Sequence, residues 1–330
     1  MNDSLPVAIR GTGVFLPSQV VSAEEVDLRL GMPKGWSLKH TGVATRRFVT
    51  SETASEMGAS ALQDALSASG FTGVDLLISA SGTPQQIIPC TASLISREMG
   101  WHGVPCMDIN ATCLGFIAAL NLASPALAVG RYQRIAIVCS EIASKGLNWS
   151  QPEAAALMGD GAAAVIIERS GPGETSALLG CEMETWPDGA HLTEIRGGGS
   201  ALPASSHIPG QNTEDFLFHM DGPGIFRFAA ERMAPFVARL IGESPRRWDA
   251  VDLLIPHQGS LTAMHHLRKR IGVSRDKLVE IAQDHGNTIS AALPMALHKA
   301  ITQGRLSRGQ TALFLGTSAG FSLGGALIRY

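Results

Sequence analysis

The sequence predicts an α/β protein built by duplication, its two halves related by an approximate dyad. Three observations carry that reading. VDLLISASG at Val74 to Gly82 recurs 177 residues later as VDLLIPHQG at Val251 to Gly259. In each copy an apolar run meets a glycine-containing turn, the pattern of a buried strand and its exit loop. Thr91, Ala92, Arg97 and Gly100 are answered by Thr262, Ala263, Arg268 and Gly272, which reads as a glycine-terminated helix in each half. Gly130, Arg131 and Arg134 precede IAIVCS, as Gly304, Arg305 and Arg308 precede TALFLG. The matches keep their order at displacements of 171 to 177 residues, too long a period for a solenoid.

Within the halves, apolar runs alternate with helical stretches at Ala54 to Ser69, Leu114 to Val129 and Pro223 to Ile241. Such alternation predicts largely parallel sheets covered by helices. The division is expected near Ser170 to Thr175, giving an N-terminal half of 1–172 and a C-terminal half of 173–330. A stretch at about 185–220, rich in Gly, Pro, Ser and Thr and containing Gly197, Gly198 and Gly199, reads as surface loops or a flap.

Composition narrows the function. With 330 residues and 45% hydrophobic content the chain can bury a large core. Charged residues make up 17% and the net charge is −3, so no strong field marks a nucleic-acid or membrane-surface binder, and small-molecule chemistry is expected. The opening MNDSLPVAIRGTG lacks a signal-peptide pattern and no run of about 18 apolar residues occurs, so a cytoplasmic protein is expected. Five cysteines without a C-x-x-C pair argue against a disulfide framework or structural zinc. His265 and His266 lack the spacing that puts two ligands on one helical face, so they read as a solvated helix surface and no metal is expected. Gly11, Gly13 and Leu16 do not complete a G-x-G-x-x-G turn before a helix, which disfavours a nicotinamide enzyme.

Three residues stand at ends of elements. Cys113 lies where a strand-like segment gives way to an apolar helix, so unpaired N–H groups and the helix dipole are expected to favour its thiolate. Cys90, Cys106, Cys139 and Cys181 read as small buried hydrophobes. His257 follows the second VDLLI strand directly, in a carboxyl-end loop of the kind that carries ligand chemistry in α/β proteins. Asn287, in DHGNTIS, lies 174 residues after Cys113, so the dyad is expected to bring the two helix starts together.

The strand-to-helix Cys113, PHQ and HGNT, together with LPSQVVS, KGWSLKHTGV, MGDGAAAVII and GTSAGFSLGGALIRY, resemble the thiolase superfamily, and most nearly the β-ketoacyl-acyl-carrier-protein synthase III enzymes. The resemblance implies a layered αβαβα core and a homodimer. It also implies Cys113 as nucleophile with His257 and Asn287 as partners. In the chemistry so implied, Cys113 is acylated by a coenzyme A or carrier-bound primer. A malonyl thioester then loses CO2, and His257 and Asn287 stabilise the enolate. The oxyanion hole would be the backbone N–H groups of Cys113 and Ala319. No cofactor is needed beyond coenzyme A or phosphopantetheine thioesters as substrates.

Trp36 matches the aromatic residue that resembles a coenzyme A adenine stacker in the family. His40 and Pro152 stand where the family commonly has arginine, which favours delivery by a carrier protein. PHQAN is here PHQGS, with Thr262 in place of a frequent arginine. Arg227, Arg268, Lys269 and Arg270 form a candidate dock for an acidic carrier. Ile88 aligns with a residue, often Phe, that reaches into the partner's acyl pocket. Its smaller side chain predicts a primer longer than acetyl, with Met158 and Phe226 also lining the channel. The competing readings are head-to-head acyl condensation without decarboxylation, acyl transfer to an alcohol or amine, and a silent scaffold subunit.

Overall fold

The computed structural model describes residues 4–242 and 247–330. In the first half the strands are β1 (Val7–Phe15), β2 (Gln19–Ser22), β3 (Thr45–Phe48), β4 (Leu76–Ser79), β5 (Cys106–Asp108), β6 (Arg134–Glu141) and β7 (Gly161–Arg169). The second half adds β8 (Ala177–Thr185), β9 (Thr193–Glu194), β10 (His219–Met220), β11 (Leu253–Pro256), β12 (Thr311–Ser318) and β13 (Ser322–Arg329). The helices are α1 (Ala23–Leu30), α2 (Trp36–Thr41), α3 (Ala54–Ser69), α4 (Thr91–Glu98), α5 (Gly115–Ala128) and α6 (Pro152–Ala155), then α7 (Gly222–Ile241), α8 (Leu261–Ile271), α9 (Ala282–His285) and α10 (Ala292–Thr302).

One sheet has the order β1-β7-β6-β4-β5 and the other β11-β12-β13-β8. They are mixed rather than largely parallel. β4 runs parallel to β5 and β6, and β11 parallel to β12, while β7, β1, β13 and β8 join antiparallel. A short reversal forces the change of direction: three residues, Ala319 to Phe321, connect β12 to β13, too few for the crossover a parallel pair requires.

Layering follows from which face of each strand is apolar. Ile135, Ile137 and Cys139 of β6 face the central core with α5, α10 and, from the other sheet, Leu253, Ile255 and Phe314. Ala136 and Val138, the alternate residues, pack outward on α3 and α4. On the far side Leu254, Leu313 and Leu315 pack on α7 and α8. The order is therefore α3/α4, sheet, α5/α10, sheet, α7/α8. α5 lies between two sheets, which accounts for its being apolar nearly all round, with Leu114, Phe116, Ile117 and Leu120 fully buried. Each such side chain contributes ~1.5–3 kcal/mol.

The repeat has a physical cause at each point. Asp75 accepts from the Arg134 amide at 2.9 Å and Asp252 from the Thr311 amide at 2.7 Å, so the Val-Asp that opens each copy ties its strand to the next. A single parallel bridge, Leu254 to Leu278, stands where β4 pairs β5 in the first half. Gly11 and Gly13 serve close packing: a Cβ at either would lie 2.1 Å from the carbonyl oxygen of Ala65 or Ala61 on α3.

Candidate active site

Cys113 is the middle residue of a 3-10 turn, Thr112–Leu114, that feeds α5. Its counterpart turn is Ile289–Ala291, ahead of α10. Thr112 and Ile289, both β-branched, adopt φ of 46° and 50°, a costly conformation for such residues. Each is held by an asparagine two residues earlier: Asn110 accepts from the Thr112 amide at 3.0 Å and Asn287 from the Ile289 amide at 2.9 Å. This corrects the register expected from a 174-residue displacement. Asn287 corresponds to Asn110, and the residue equivalent to Cys113 is Ser290, at the 177-residue displacement of the strands.

With its Oδ1 engaged by Ile289, Asn287 has its side-chain amide N–H groups left to donate. Its backbone is fixed by Leu157, whose carbonyl accepts at 2.8 Å, and by Gly159, whose amide donates to the Asn287 carbonyl at 3.0 Å. His257 leaves β11 with its amide donating to Leu315 at 2.8 Å. Gln258, fully buried, staples the same loop. Its Nε2 donates to Pro256 at 2.7 Å and Val279 at 3.1 Å, while its Oε1 accepts from the amides of Ile281 and Ala282. Gly316 leaves room for the imidazole, since a Cβ there would lie 2.8 Å from the His257 Cβ.

Cys113, His257 and Asn287 line one cavity of about 1200 Å3. Ala319, Met158 and Phe226 line it too, with Lys269 and Arg270 among its charged groups. Thr193, Ile195, Phe218 and Met220 bring part of the expected flap into the wall. Trp36, Ile88, Arg227 and Arg268 stand outside it. Trp36 stacks at 4.4 Å on His40, which does line the cavity. Ile88 is 81% exposed beside Ile87 at 75%. Arg268 donates to the Val273 carbonyl at 2.7 Å just beyond the end of α8, while Arg227 is exposed. His266 is exposed, but His265 is not merely solvated: its ring meets the Glu280 carboxylate.

The electrostatics depart from expectation at the sulfur. Burial first, then the Glu141 carboxylate, push the Cys113 thiol up to about 12, against the lowering effect of the backbone N–H groups of Ala319 and Cys113 itself. A thiol, not a thiolate, is the resting form. Burial lowers His257 to about 4, so its imidazole is neutral near pH 7, and its buried Nδ1 has no hydrogen-bond partner among the described residues. Among the described residues no cluster of three or more His, Cys, Asp or Glu side chains could hold a metal.

Residues 107–187 match the family described as 3-oxoacyl-acyl-carrier-protein synthase III, and residues 242–330 match its C-terminal part. β-Ketoacyl-acyl-carrier-protein synthase III of Neisseria meningitidis is 31% identical over 326 residues, covering 98% of each chain. The chain belongs to the synthase III family. The Methylococcus capsulatus synthase III is 30% identical over the same share of both chains. The crystal structure of the Aquifex aeolicus synthase III superposes with a TM-score of 0.88 at 29% identity, covering 98% of this chain and 100% of that one. Xanthomonas campestris OleA shares the fold, with a TM-score of 0.84 at 21% identity and 98% coverage of each chain. The superfamily and the layered core expected from the motifs are thus shown along nearly the whole chain.

In this synthase III family member, Glu141, Gln258 and Ser290 hold the loops of the site without standing out in the sequence as Cys113, His257 and Asn287 do. Gln258 carried a signal, since it is the Q of PHQ, and Glu141 carried another as a carboxylate ending the apolar run IAIVCSE.

Proposed function

We propose that this synthase III family member joins an acyl primer to a malonyl thioester in two steps at Cys113. The sulfur attacks the primer carbonyl, its proton passes to a neutral base, and the primer's thiol leaves. The oxyanion formed meanwhile is met by the backbone N–H groups of Cys113 and Ala319. Neutral His257, in the same cavity, suits the role of base. In the second step a malonyl thioester loses CO2. The resulting enolate, hydrogen-bonded at its thioester oxygen by His257 and Asn287, attacks the acyl carbon and expels the Cys113 sulfur as thiolate, which takes up a proton from solvent. The observation that carries this reading is the convergence of sulfur, neutral imidazole and a freely donating amide on one cavity.

A primer longer than acetyl is favoured by the size of the cavity and by its apolar lining, which includes Met158 and Phe226. Lys269 and Arg270, lining the cavity, suit an acidic carrier, with Arg227 as a third contact. Arg268 is engaged by Val273 and adds less. Exposed Ile87 and Ile88 fit a homodimer in which Ile88 enters the partner's pocket. Among the described residues no helix is long and apolar enough to cross a membrane, in keeping with a cytoplasmic enzyme made of halves 1–172 and 173–330.

Intact-protein and peptide mass spectrometry after incubation with acetyl, hexanoyl and octanoyl thioesters tests the reading. An acyl mass on the Cys113 peptide, heavier loading with the longer chains, and no adduct in Cys113→Ala are expected. Acylation elsewhere, or no acylation at all, would overturn it.

A further inference from the structure

Behind the cavity, where the two halves meet, a buried carboxylate has no part in the chemistry above. Glu141 ends β6 and is fully inaccessible to solvent. Its Oε1 accepts from the Gly82 amide at 2.7 Å, from the Ser290 amide at 3.3 Å and from the Ser290 hydroxyl. Its Oε2 accepts from the Thr83 amide at 2.9 Å and the Thr83 hydroxyl at 2.5 Å, and that hydroxyl oxygen accepts from the Ile142 amide at 3.1 Å. Five donors thus converge on one side chain. A carboxylate, which only accepts when ionised, can satisfy them all, whereas an amide would turn an NH2 toward them.

Those donors sit on the two segments that flank the nucleophile. Gly82 lies against both strained turns: a Cβ there would be 3.1 Å from Ile289 and 3.3 Å from the Thr112 Cα. Ser290, the second-half counterpart of Cys113, approaches Gly115, the first residue of α5, where a Cβ would be 3.3 Å from that of Ser290 and 2.3 Å from the Ala80 carbonyl oxygen. From Glu141, therefore, one contact through Gly82 reaches the residue before Cys113, and one through Ser290 reaches the helix after it.

We propose that Glu141 is a positioning residue for the condensation, its carboxylate clamping Gly82–Thr83 to Ser290 and so fixing the turn that presents Cys113. The inference rests on Cys113 as nucleophile. Burial raises Glu141 against the lowering effect of its donors on Ser290, Thr83 and Gly82. Its carboxylate adds to burial in raising Cys113 and also Cys139, deeper on β6, while neutral His257 lines the cavity with Cys113. Glu141 thereby acts on Cys113 in two ways, by holding its backbone and by disfavouring early loss of its proton.

The test uses the full-length wild type, Glu141→Gln, Glu141→Asp and Ser290→Ala. The alkylation rate of Cys113 by iodoacetamide is followed against pH by peptide mass spectrometry, and kcat and KM are measured with an acyl-thioester primer. Glu141→Gln is expected to alkylate Cys113 about tenfold faster than wild type below the midpoint, the equivalent of one pKa unit. Its kcat is expected to fall by about tenfold with KM little changed, as for an interaction felt mainly in the transition state. Glu141→Asp keeps the wild-type alkylation profile and recovers part of kcat. Should Glu141→Gln fail to fold, Ser290→Ala removes one donor and keeps the charge, and a slower alkylation with a lower kcat is expected. A Glu141→Gln, or in its place a Ser290→Ala, with wild-type alkylation and kcat would overturn the proposal. Alkylation reads the surroundings of the free sulfur, whether or not Cys113 is the residue that takes up acyl groups in turnover. Misassignment of the nucleophile would therefore appear in the acyl-adduct experiment and leave this profile intact.

Discussion

At Cys113 two effects oppose each other. A helix start favours negative charge by ~0.3–1 kcal/mol at an exposed site. Burial and the Glu141 carboxylate outweigh it and hold the sulfur as a thiol. In the proposed reaction, attack on a thioester must then move a proton in the same step, and the neutral imidazole of His257 in the same cavity is the proposed acceptor. Cys113→Ser is expected to lower condensation by about a thousandfold or more, as loss of a nucleophile does elsewhere. His257→Ala and Asn287→Ala are each expected to lose ~100–1000-fold in the decarboxylating step, the usual effect of removing one oxyanion donor. Steady-state assays with a malonyl thioester check all three. His257 also sets a pH dependence. Its folded pKa of about 4 lies below the ordinary 6.5, so the unfolded chain binds the extra proton first as pH falls. Stability from this residue is complete above about pH 6.5, declines toward pH 4 and levels off below, a loss of at most about 3 kcal/mol. Denaturant titrations of wild type and His257→Ala across that range should show a steeper acid decline in the wild type.

At the scale of elements, the loops after β11 and before α10 are held by side chains whose hydrogen bonds are nearly all internal. Gln258→Ala leaves two buried amides and two buried carbonyls short of a partner, and should cost roughly 3 kcal/mol, read as a lower denaturation midpoint. Gly13→Ala drives a methyl into the backbone of α3 and should cost ~1–3 kcal/mol in the same measurement. This is also where the limits of the sequence lie. The repeat exposed the strands because a doubly buried strand needs an unbroken apolar run, and the long helices were legible in position, α3 as Ala54–Ser69 among them. A 174-residue displacement pairs Cys113 with Asn287 three residues out of register. The matching feature is a positive φ at Thr112 and Ile289, which no residue type announces. The resting thiol was not legible either, because burial and the approach of Glu141 arise only when β6 and the 3-10 turn are packed together. In the second sheet the antiparallel turn follows from a three-residue reversal between two apolar runs that composition alone leaves undirected.

For the whole molecule, duplication supplies two equivalent helix starts at one junction, and the halves have diverged in what they place there. The first carries a sulfur and the second a hydroxyl spent on Glu141, while Asn287 keeps its amide free for the cavity. The exposed Ile87 and Ile88 are the proposed contact of the homodimer. Sedimentation equilibrium should return twice the chain mass of 34.7 kDa, and Ile88→Glu should shift it toward one chain mass. The most direct measurement of the account is CO2 release from a malonyl thioester by enzyme already acylated on Cys113. One CO2 for each β-ketoacyl product, lost together in Asn287→Ala, is the predicted result. Transfer of the acyl group with no CO2 released would contradict it.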